Sequence, residues 1–162
     1  MTCYVVDSSA FIDAAAEWYP RDVFPTIWEI LEEFGQQGVV VSIDAVQDEL
    51  LKRQDDLARW AKDKFPGWRP AKYNPKVIEQ YAIVAQYVQG HPDKSPEGKA
   101  AFLKGADGWL VAWAIVHHAA VVAHETLPGP GSKKIKIPDV CTNFGVQCVR
   151  LIEMLRQLGV HI

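Results

Sequence analysis

The stretch Cys-Tyr-Val-Val-Asp-Ser-Ser-Ala-Phe-Ile at residues 3–12 constrains the fold more than any other part of the chain. Its first four residues form a β-rich apolar run, and buried parallel strands have this continuous pattern. Asp7 follows directly, and Asp and Ser are favoured at the start of a helix. The stretch therefore predicts a central first strand with Asp7 at its carboxyl end, the edge where open α/β sheets bind ligands. Alternatively, Asp7 or Ser8 serves only as a helix cap.

Three further apolar runs, at residues 39–43, 119–123 and 146–149, predict a sheet of about four strands in total. We expect helices at residues 9–16, 26–34, 44–62, 75–88, 107–118, 138–144 and 151–158. The Pro-Gly-Trp-Arg-Pro segment at 66–70 is expected to interrupt the chain between two helices. Because helical crossovers join the strands, the sequence predicts an α/β protein, a three-layer α/β/α sandwich around a mainly parallel sheet.

The composition is that of one soluble globular domain spanning residues 1–162, with 49% hydrophobic and 23% charged residues. The formal net charge of −3 shows no overall basic excess, although it is compatible with a local basic groove. We expect a cytoplasmic protein with no membrane contact, because no signal-peptide pattern is present and no apolar stretch reaches the ~20 residues of a spanning helix. Cys3, Cys141 and Cys148 lack metal-site spacing and are expected to be free thiols.

Three more acidic residues are predicted to lie at the same edge of the sheet as Asp7. Glu49 falls in the second turn after the second strand, Asp107 begins a very apolar helix, and Glu125 ends the third strand. A helix that leads into a parallel strand runs antiparallel to it, so the 107–118 helix starts at the carboxyl edge. Ordinary alternatives are an exposed helical carboxylate for Glu49 and a favourable helix-dipole interaction for Asp107.

Four carboxylates brought together at one edge would repel each other and raise each other's pKa values. A cation would relieve that repulsion, and an all-oxygen ligand set suits Mg²⁺ or Mn²⁺ better than Zn²⁺. The sequence therefore predicts a divalent-metal site formed by Asp7, Glu49, Asp107 and Glu125.

This set of residues resembles the PIN-domain ribonucleases. The resemblance rests on Asp-Ser-Ser at 7–9 after the first strand, Glu49 after the second strand, and Gly-Ala-Asp at 105–107 opening a buried helix. It extends to Val-Val-Ala-His-Glu at 121–125 and spans nearly the whole chain. It is closest to a branch of small bacterial PIN-like proteins that includes VapC-like toxins of toxin–antitoxin pairs.

The resemblance implies a metal-dependent endoribonuclease with RNA as its substrate, Mg²⁺ or Mn²⁺ as its cofactor, and the role of a type II toxin. It assigns metal binding and catalysis to Asp7, Glu49 and Asp107, and a supporting role to Ser9. A cognate antitoxin is the partner that such a toxin implies.

The fourth acidic position departs from the family pattern. Glu125 follows His124, where a small polar residue and then Asp are more usual. Asp139, in the sequence Lys-Ile-Pro-Asp, is a competing candidate. We favour Glu125 because it directly ends a β-rich run, whereas Asp139 lies beyond a flexible loop.

Two basic groups are candidates for RNA binding, one with neighbouring aromatic residues that could stack on bases and one in a flexible loop. The first group consists of Arg53, Arg69, Lys72 and Lys76 with Trp60, Trp68 and Tyr73. The second group consists of Lys133, Lys134 and Lys136. A solvated charged surface is the alternative for both. Apolar residues at Trp18, Tyr19 and Phe24 are candidates for contact with an antitoxin or with a second copy in a homodimer.

Other functions compete with that of a ribonuclease. A catalytically silent PIN-like scaffold would bind RNA or a protein through the same cleft. A receiver-type signalling domain would need a phosphorylatable Asp at the end of a middle strand, but the run at 39–43 ends in Ser-Ile. A phosphatase with an Asp-x-Asp motif is excluded because position 9 is Ser9.

Overall fold

A five-stranded sheet forms the centre of the protein in the computed structural model, which describes residues 2–162. Its strands are β1 (Tyr4–Val6), β2 (Val40–Ile43), β3 (Trp68–Arg69), β4 (Ala120–Val122) and β5 (Cys148–Val149). All pairings are parallel, in the order β3-β2-β1-β4-β5. The predicted α/β class, the parallel sheet and the central position of β1 are confirmed, with one strand more than predicted.

Helices flank this sheet, in agreement with the predicted three-layer sandwich. They are α1 (Ser8–Asp13), α2 (Pro25–Gln36), α3 (Asp44–Leu51), α4 (Asp56–Asp63), α5 (Pro75–Gln89), α6 (Pro96–Lys104), α7 (Asp107–His117), α8 (Ile137–Phe144) and α9 (Leu151–Gln157). A π-helical turn at Ala14–Trp18 extends α1. Within residues 2–162, no helix is both long enough and apolar enough to cross a membrane.

The single helix predicted at residues 44–62 is wrong, because the chain forms α3 and α4 with a break between them. Asp55 explains the new start: its carboxylate accepts hydrogen bonds from the backbone N–H of Ala58 at 3.0 Å and from Nε of Arg53 at 2.8 Å. A carboxylate that satisfies a free N–H in the first turn stabilises a helix start.

The additional strand, β3, lies in the Pro-Gly-Trp-Arg-Pro segment that the sequence predicts only as an interruption. It pairs with β2, and Gly67 O accepts a hydrogen bond from Ser42 N at 3.0 Å. A Cβ atom at Gly67 would lie 2.8 Å from Val40 O, so only glycine permits this close approach. Pro66 and Pro70 lack an N–H and limit the strand to two residues at the sheet edge.

Aromatic side chains form one cluster in the core, consisting of Phe11, Trp28, Trp60, Phe65 and Trp68. Trp60 is 1% exposed, and its Nε1 donates to Glu32 Oε2 at 3.0 Å. Trp68 Nε1 donates to Ala61 O at 2.8 Å. The buried ring of Trp60 cannot stack on RNA bases, so this expectation is wrong for Trp60. Trp68 is only partly buried. Tyr73 remains exposed.

Contacts between β1 and its neighbours hold the carboxyl ends of three strands together. Asp7 N donates to Val122 O at 2.8 Å, and the Ser42 hydroxyl donates to Val6 O at 2.6 Å. Because the strands are parallel, whatever follows β1, β2 and β4 emerges at this same edge.

Replacing Trp60 by Ala should lower the free energy of unfolding by about 3–5 kcal/mol, because it removes the centre of the aromatic cluster and leaves a cavity. Urea denaturation would measure the change. Tyr73→Ala is the matched control, since this ring is 85% exposed and its loss should change stability by less than about 0.5 kcal/mol. Equal effects of the two substitutions would contradict the described core.

Candidate functional site

Asp7 lies at the carboxyl end of β1 and is 2% exposed. Its Oδ2 accepts hydrogen bonds from the Ser9 backbone N–H at 3.1 Å and from the Ser9 hydroxyl at 2.6 Å. These contacts cap α1, so helix capping accounts for one carboxylate oxygen. The other oxygen, Oδ1, is buried and has no hydrogen-bond partner within residues 2–162. Because a buried charge without a partner is costly, Oδ1 needs a proton or a cation.

Ser9 connects Asp7 to the end of β4, because its hydroxyl also accepts a hydrogen bond from the His124 backbone N–H at 3.1 Å. The His124 ring accepts a hydrogen bond at Nε2 from Leu151 N at 3.3 Å, and its Nδ1 lies 3.5 Å from Asp13 Oδ2. Burial lowers the pKa of His124, in agreement with a neutral ring. Its contacts are structural, since they join β4 to α1 and α9.

Glu49 in α3 accepts hydrogen bonds from two other segments at the carboxyl edge of the sheet. Its Oε2 accepts a hydrogen bond from the Ser8 hydroxyl at 2.8 Å, and its Oε1 accepts one from the Ala106 backbone N–H at 2.9 Å. A Cβ atom at Gly105 would lie 2.9 Å from Oε1, so glycine leaves room for this carboxylate. The contacts of Glu49 therefore fix the start of α7, where Asp107 lies.

Asp107 and Glu125 complete the acidic group. Asp107 is the first residue of α7 and is partly exposed. Glu125 follows β4, and its Oε2 accepts a hydrogen bond from the Ile137 backbone N–H at 3.0 Å. Both side chains line one cleft of about 510 Å³. The sheet therefore brings together the four acids that the sequence predicts.

These acids are close enough to change each other's ionisation. Burial, and then repulsion from Glu125 and Glu49, raise the pKa of Asp7 to about 6. Burial, and then repulsion from the other three acids, raise the pKa of Asp107 to about 8, although Lys136 opposes the rise. Burial and repulsion therefore favour the protonated form of Asp107 when no cation is near.

The oxygens suit a hard divalent cation, but they are not arranged around one. Within residues 2–162, no three His, Cys, Asp or Glu side chains are gathered as a ready metal site. Glu49 and Glu125 direct oxygens at the N–H groups of Ala106 and Ile137, and mutual repulsion separates the carboxylates. The unpartnered Oδ1 of Asp7 and the all-oxygen donor set fit Mg²⁺ or Mn²⁺.

Asp139, the competing fourth acid, lies in the first turn of α8. Burial and then the charge of Asp139 raise the pKa of Tyr87, so this carboxylate is near α5. Glu125, in contrast, raises the pKa of both Asp7 and Asp107. The electrostatic neighbours favour Glu125, although Asp139 Oδ2 is also buried without a hydrogen-bond partner within residues 2–162, so Glu125 as the fourth acid stays a prediction.

The two arginines predicted to bind RNA do not face the acids. Arg53 forms an ion pair with Asp55 at 2.8 Å, in a separate cleft. Arg69 lies beside Gly38 and limits the rise that burial causes in the pKa of Cys3. Gly38 precedes β2, and Cys3 precedes β1. The guanidinium of Arg69 therefore lies at the amino edge of the sheet, opposite the edge that carries the acids. The structure therefore does not bring Arg53 or Arg69 to the site.

Lysines do surround the acids. Lys133, Lys134 and Lys136 line the cleft that contains Asp107 and Glu125. A second cleft, of about 480 Å³, contains Glu49 with Lys52, Lys72 and Lys104. Lys52 and Lys104 are not among the basic residues that the sequence predicts. For Lys52 a signal was available, because it lies three residues, about one helical turn, after Glu49. Lys104 ends α6 and reaches this cleft only through the packing of α6 beside α3.

Comparison with known proteins gives one family. The profile of the family described as Domain of unknown function (DUF4411) matches residues 4–162. The matched region includes the whole sheet and all four acids. No protein with a curated description matches the chain.

The metal-free protein should become less stable as the pH rises from about 4 to about 8. The unfolded chain releases the Asp107 proton near its ordinary pKa of 3.8, whereas the folded state holds it up to a pKa of about 8. Above that value the folded state carries the unfavourable charge in full. Asp107→Asn should therefore flatten the decline and raise the free energy of unfolding at alkaline pH.

Urea denaturation in EDTA across this pH range would measure both profiles. Asp48→Asn, which removes an exposed acid one residue from Glu49, is the matched control and should keep the decline of the wild type. If the free energy of unfolding of Asp107→Asn declines with pH as steeply as that of the wild type, ionisation of Asp107 does not destabilise the folded state.

Proposed function

We propose that this chain, which belongs to the DUF4411 family, is a Mg²⁺- or Mn²⁺-dependent endoribonuclease. The observation that carries the proposal is the buried carboxylate of Asp7, whose Oδ1 lacks a partner within residues 2–162. Repulsion from Glu125 and Glu49 makes this burial less favourable still. A cation beside Oδ1 would both satisfy that atom and remove the repulsion.

The residues of the chain have distinct roles in this proposal. Asp7 and Asp107 would bind the cation, and Asp107 would release its proton when they do so. Glu49 and Glu125 would complete the ligand set, while Ser9 keeps Asp7 in place through two hydrogen bonds. When bound, the divalent ion supplies the charge that acidifies water and neutralises phosphate oxygens.

The choice of RNA, and of a toxin of a type II toxin–antitoxin pair as the biological role, rests on the resemblance to PIN-domain ribonucleases and VapC-like toxins. Such a toxin would bind a cognate antitoxin. Trp18 and Phe24 are 50% and 41% exposed, so they are available to an antitoxin or to a second copy of the chain. The three free thiols agree with a reducing compartment, and we place the activity in the cytoplasm.

A second candidate function is a catalytically silent scaffold that binds RNA or a protein. The observation that favours it is the lack, within residues 2–162, of a ready group of three metal-binding side chains. In such a scaffold a proton on Asp107 would take the place of a cation, and Glu49 and Glu125 would act only as hydrogen-bond acceptors.

Millimolar Mn²⁺ should raise the melting temperature of the wild type, because it binds the folded state only. A hundredfold excess over Kd corresponds to about 2.7 kcal/mol of added stability. Asp7→Asn should abolish the rise and make the metal-free protein slightly more stable, since it removes a buried charge. Asp139→Asn, a control in α8, should keep the rise. A wild-type melting temperature that does not change with Mn²⁺ would contradict the proposed metal site.

Purified protein, freed of any partner, should cut labelled RNA internally with Mg²⁺ or Mn²⁺ and not in EDTA. Asp7→Asn and Asp107→Asn should each remove nearly all cleavage while the fold persists, because both carboxylates would hold the ion. Asp139→Asn should retain activity. Gel analysis of the products, with circular dichroism of each variant, would measure this.

Cleavage that persists equally in EDTA or in Asp7→Asn would indicate a contaminant or another mechanism. A wild type that binds Mn²⁺ but cuts no RNA would favour the silent scaffold.

A further inference from the structure

Two clefts of similar size meet at the segment that joins α6 to α7. The first contains Glu49 and Ala106, and the second contains Asp107 and Glu125. Because Ala106 and Asp107 are consecutive residues, the segment at 104–107 is the ridge between the clefts. Three of the four acids therefore line two neighbouring clefts, Glu49 in the first and Asp107 with Glu125 in the second, whereas Asp7 is buried and lines neither.

Each cleft also contains three lysines. Those of the first cleft are Lys52, Lys72 and Lys104, and those of the second are Lys133, Lys134 and Lys136. Within residues 2–162, none of these ammonium groups forms an ion pair with a carboxylate, whereas three arginines pair with nearby aspartates. Lys133 Nζ does donate to the backbone carbonyl of Asp93 at 3.5 Å, but this neutral acceptor leaves its charge uncompensated. Carboxylates also line both clefts, so a ligand's phosphates would bind on the lysine side of each cleft.

We infer that one single strand of nucleic acid crosses both clefts, with phosphates bound by the lysines on each side of the ridge at 104–107. The inference rests on the proposed function, because it places the bond to be cut over the acids at this ridge. A single strand is flexible and carries one negative phosphate for each nucleotide. It can therefore contact both groups of lysines while the bond to be cut lies over the acids between them.

The loop that carries the second group of lysines forms hydrogen bonds with the start of α6. Lys94 Nζ donates to Ser132 O at 3.1 Å, and Ser95 N donates to Lys133 O at 3.3 Å. These contacts fasten the loop to the start of α6. The ammonium groups are therefore presented to a ligand at a lower entropy cost than on a free loop.

The depth of the acids favours a single strand over a duplex. Asp7 is 2% exposed, and a stiff duplex cannot bend its phosphates toward a carboxylate at this depth. Tyr73 follows Lys72 in the sequence and is 85% exposed. A ring this exposed can stack on an unpaired base.

Matched double variants test the inference through binding alone. Lys52→Gln with Lys104→Gln changes the first cleft, and Lys133→Gln with Lys134→Gln changes the second. Lys62→Gln with Lys64→Gln removes the same charge from exposed positions of α4 and the turn after it, outside both clefts. Fluorescence anisotropy of a labelled oligouridylate in EDTA, over a range of salt concentrations, measures affinity without cleavage.

Each cleft variant should bind more weakly and lower the magnitude of the salt slope by about 1.4, or about 0.7 for each lost phosphate contact. The combination of both should show the sum of the two effects, since one strand contacts both clefts. The control on α4 should bind like the wild type. Circular dichroism melting confirms that every variant is folded.

The inference is overturned if only one cleft variant weakens binding, if the control weakens it equally, or if the wild type does not bind. Failure of the proposed function is distinguishable from these outcomes. If the cleft variants cleave RNA with Mn²⁺ as the wild type does, the nuclease proposal stands and the proposed path of the strand is wrong. If binding depends on both clefts but the wild type cleaves no RNA, the proposed path stands and the nuclease proposal is wrong.

Discussion

The charge of one buried carboxylate, that of Asp7, is the constraint on which the rest of the site depends. Its Oδ2 is satisfied by Ser9, but its Oδ1 is buried without a partner in the described residues 2–162. Burial and repulsion from other acids both oppose its ionisation and that of Asp107. A protein can keep such a group only if a proton or a cation compensates it. Protonation relieves this strain in the absence of a cation, and in the proposed function a divalent cation would do so.

Two other acids, Glu49 and Glu125, also stabilise the positions of the segments at the carboxyl edge of the sheet. Glu49 accepts a hydrogen bond from the backbone at Ala106, and Glu125 accepts one from the backbone at Ile137. Each bond joins a carboxylate to a segment that is distant in sequence, at the start of α7 or of α8. Fold and site are thus coupled, because a rotation of either glutamate toward a cation would free a backbone N–H that must find another acceptor.

Much of this arrangement was predictable from local patterns. The strands at β1, β2, β4 and β5 follow from apolar runs, and Asp7 and Asp107 follow from their places at the end of a strand and the start of a helix. The break between α3 and α4 was missed because apolar spacing continues across it, and only the capping contact of Asp55 marks the new start. The strand β3 was missed because two residues between prolines carry almost no pattern, and its pairing with β2 creates it.

The sequence by itself determined that Asp7 ends a strand and that Asp107 begins a helix, since these features depend on neighbours along the chain. From the parallel topology it also determined the edge at which the acids meet. Only the tertiary structure decided that the charge of Glu125 acts on Asp7, and that Arg69 lies at the opposite edge. The reason is physical: the direction of a long side chain depends on the segments packed around it, and those segments are far apart in sequence.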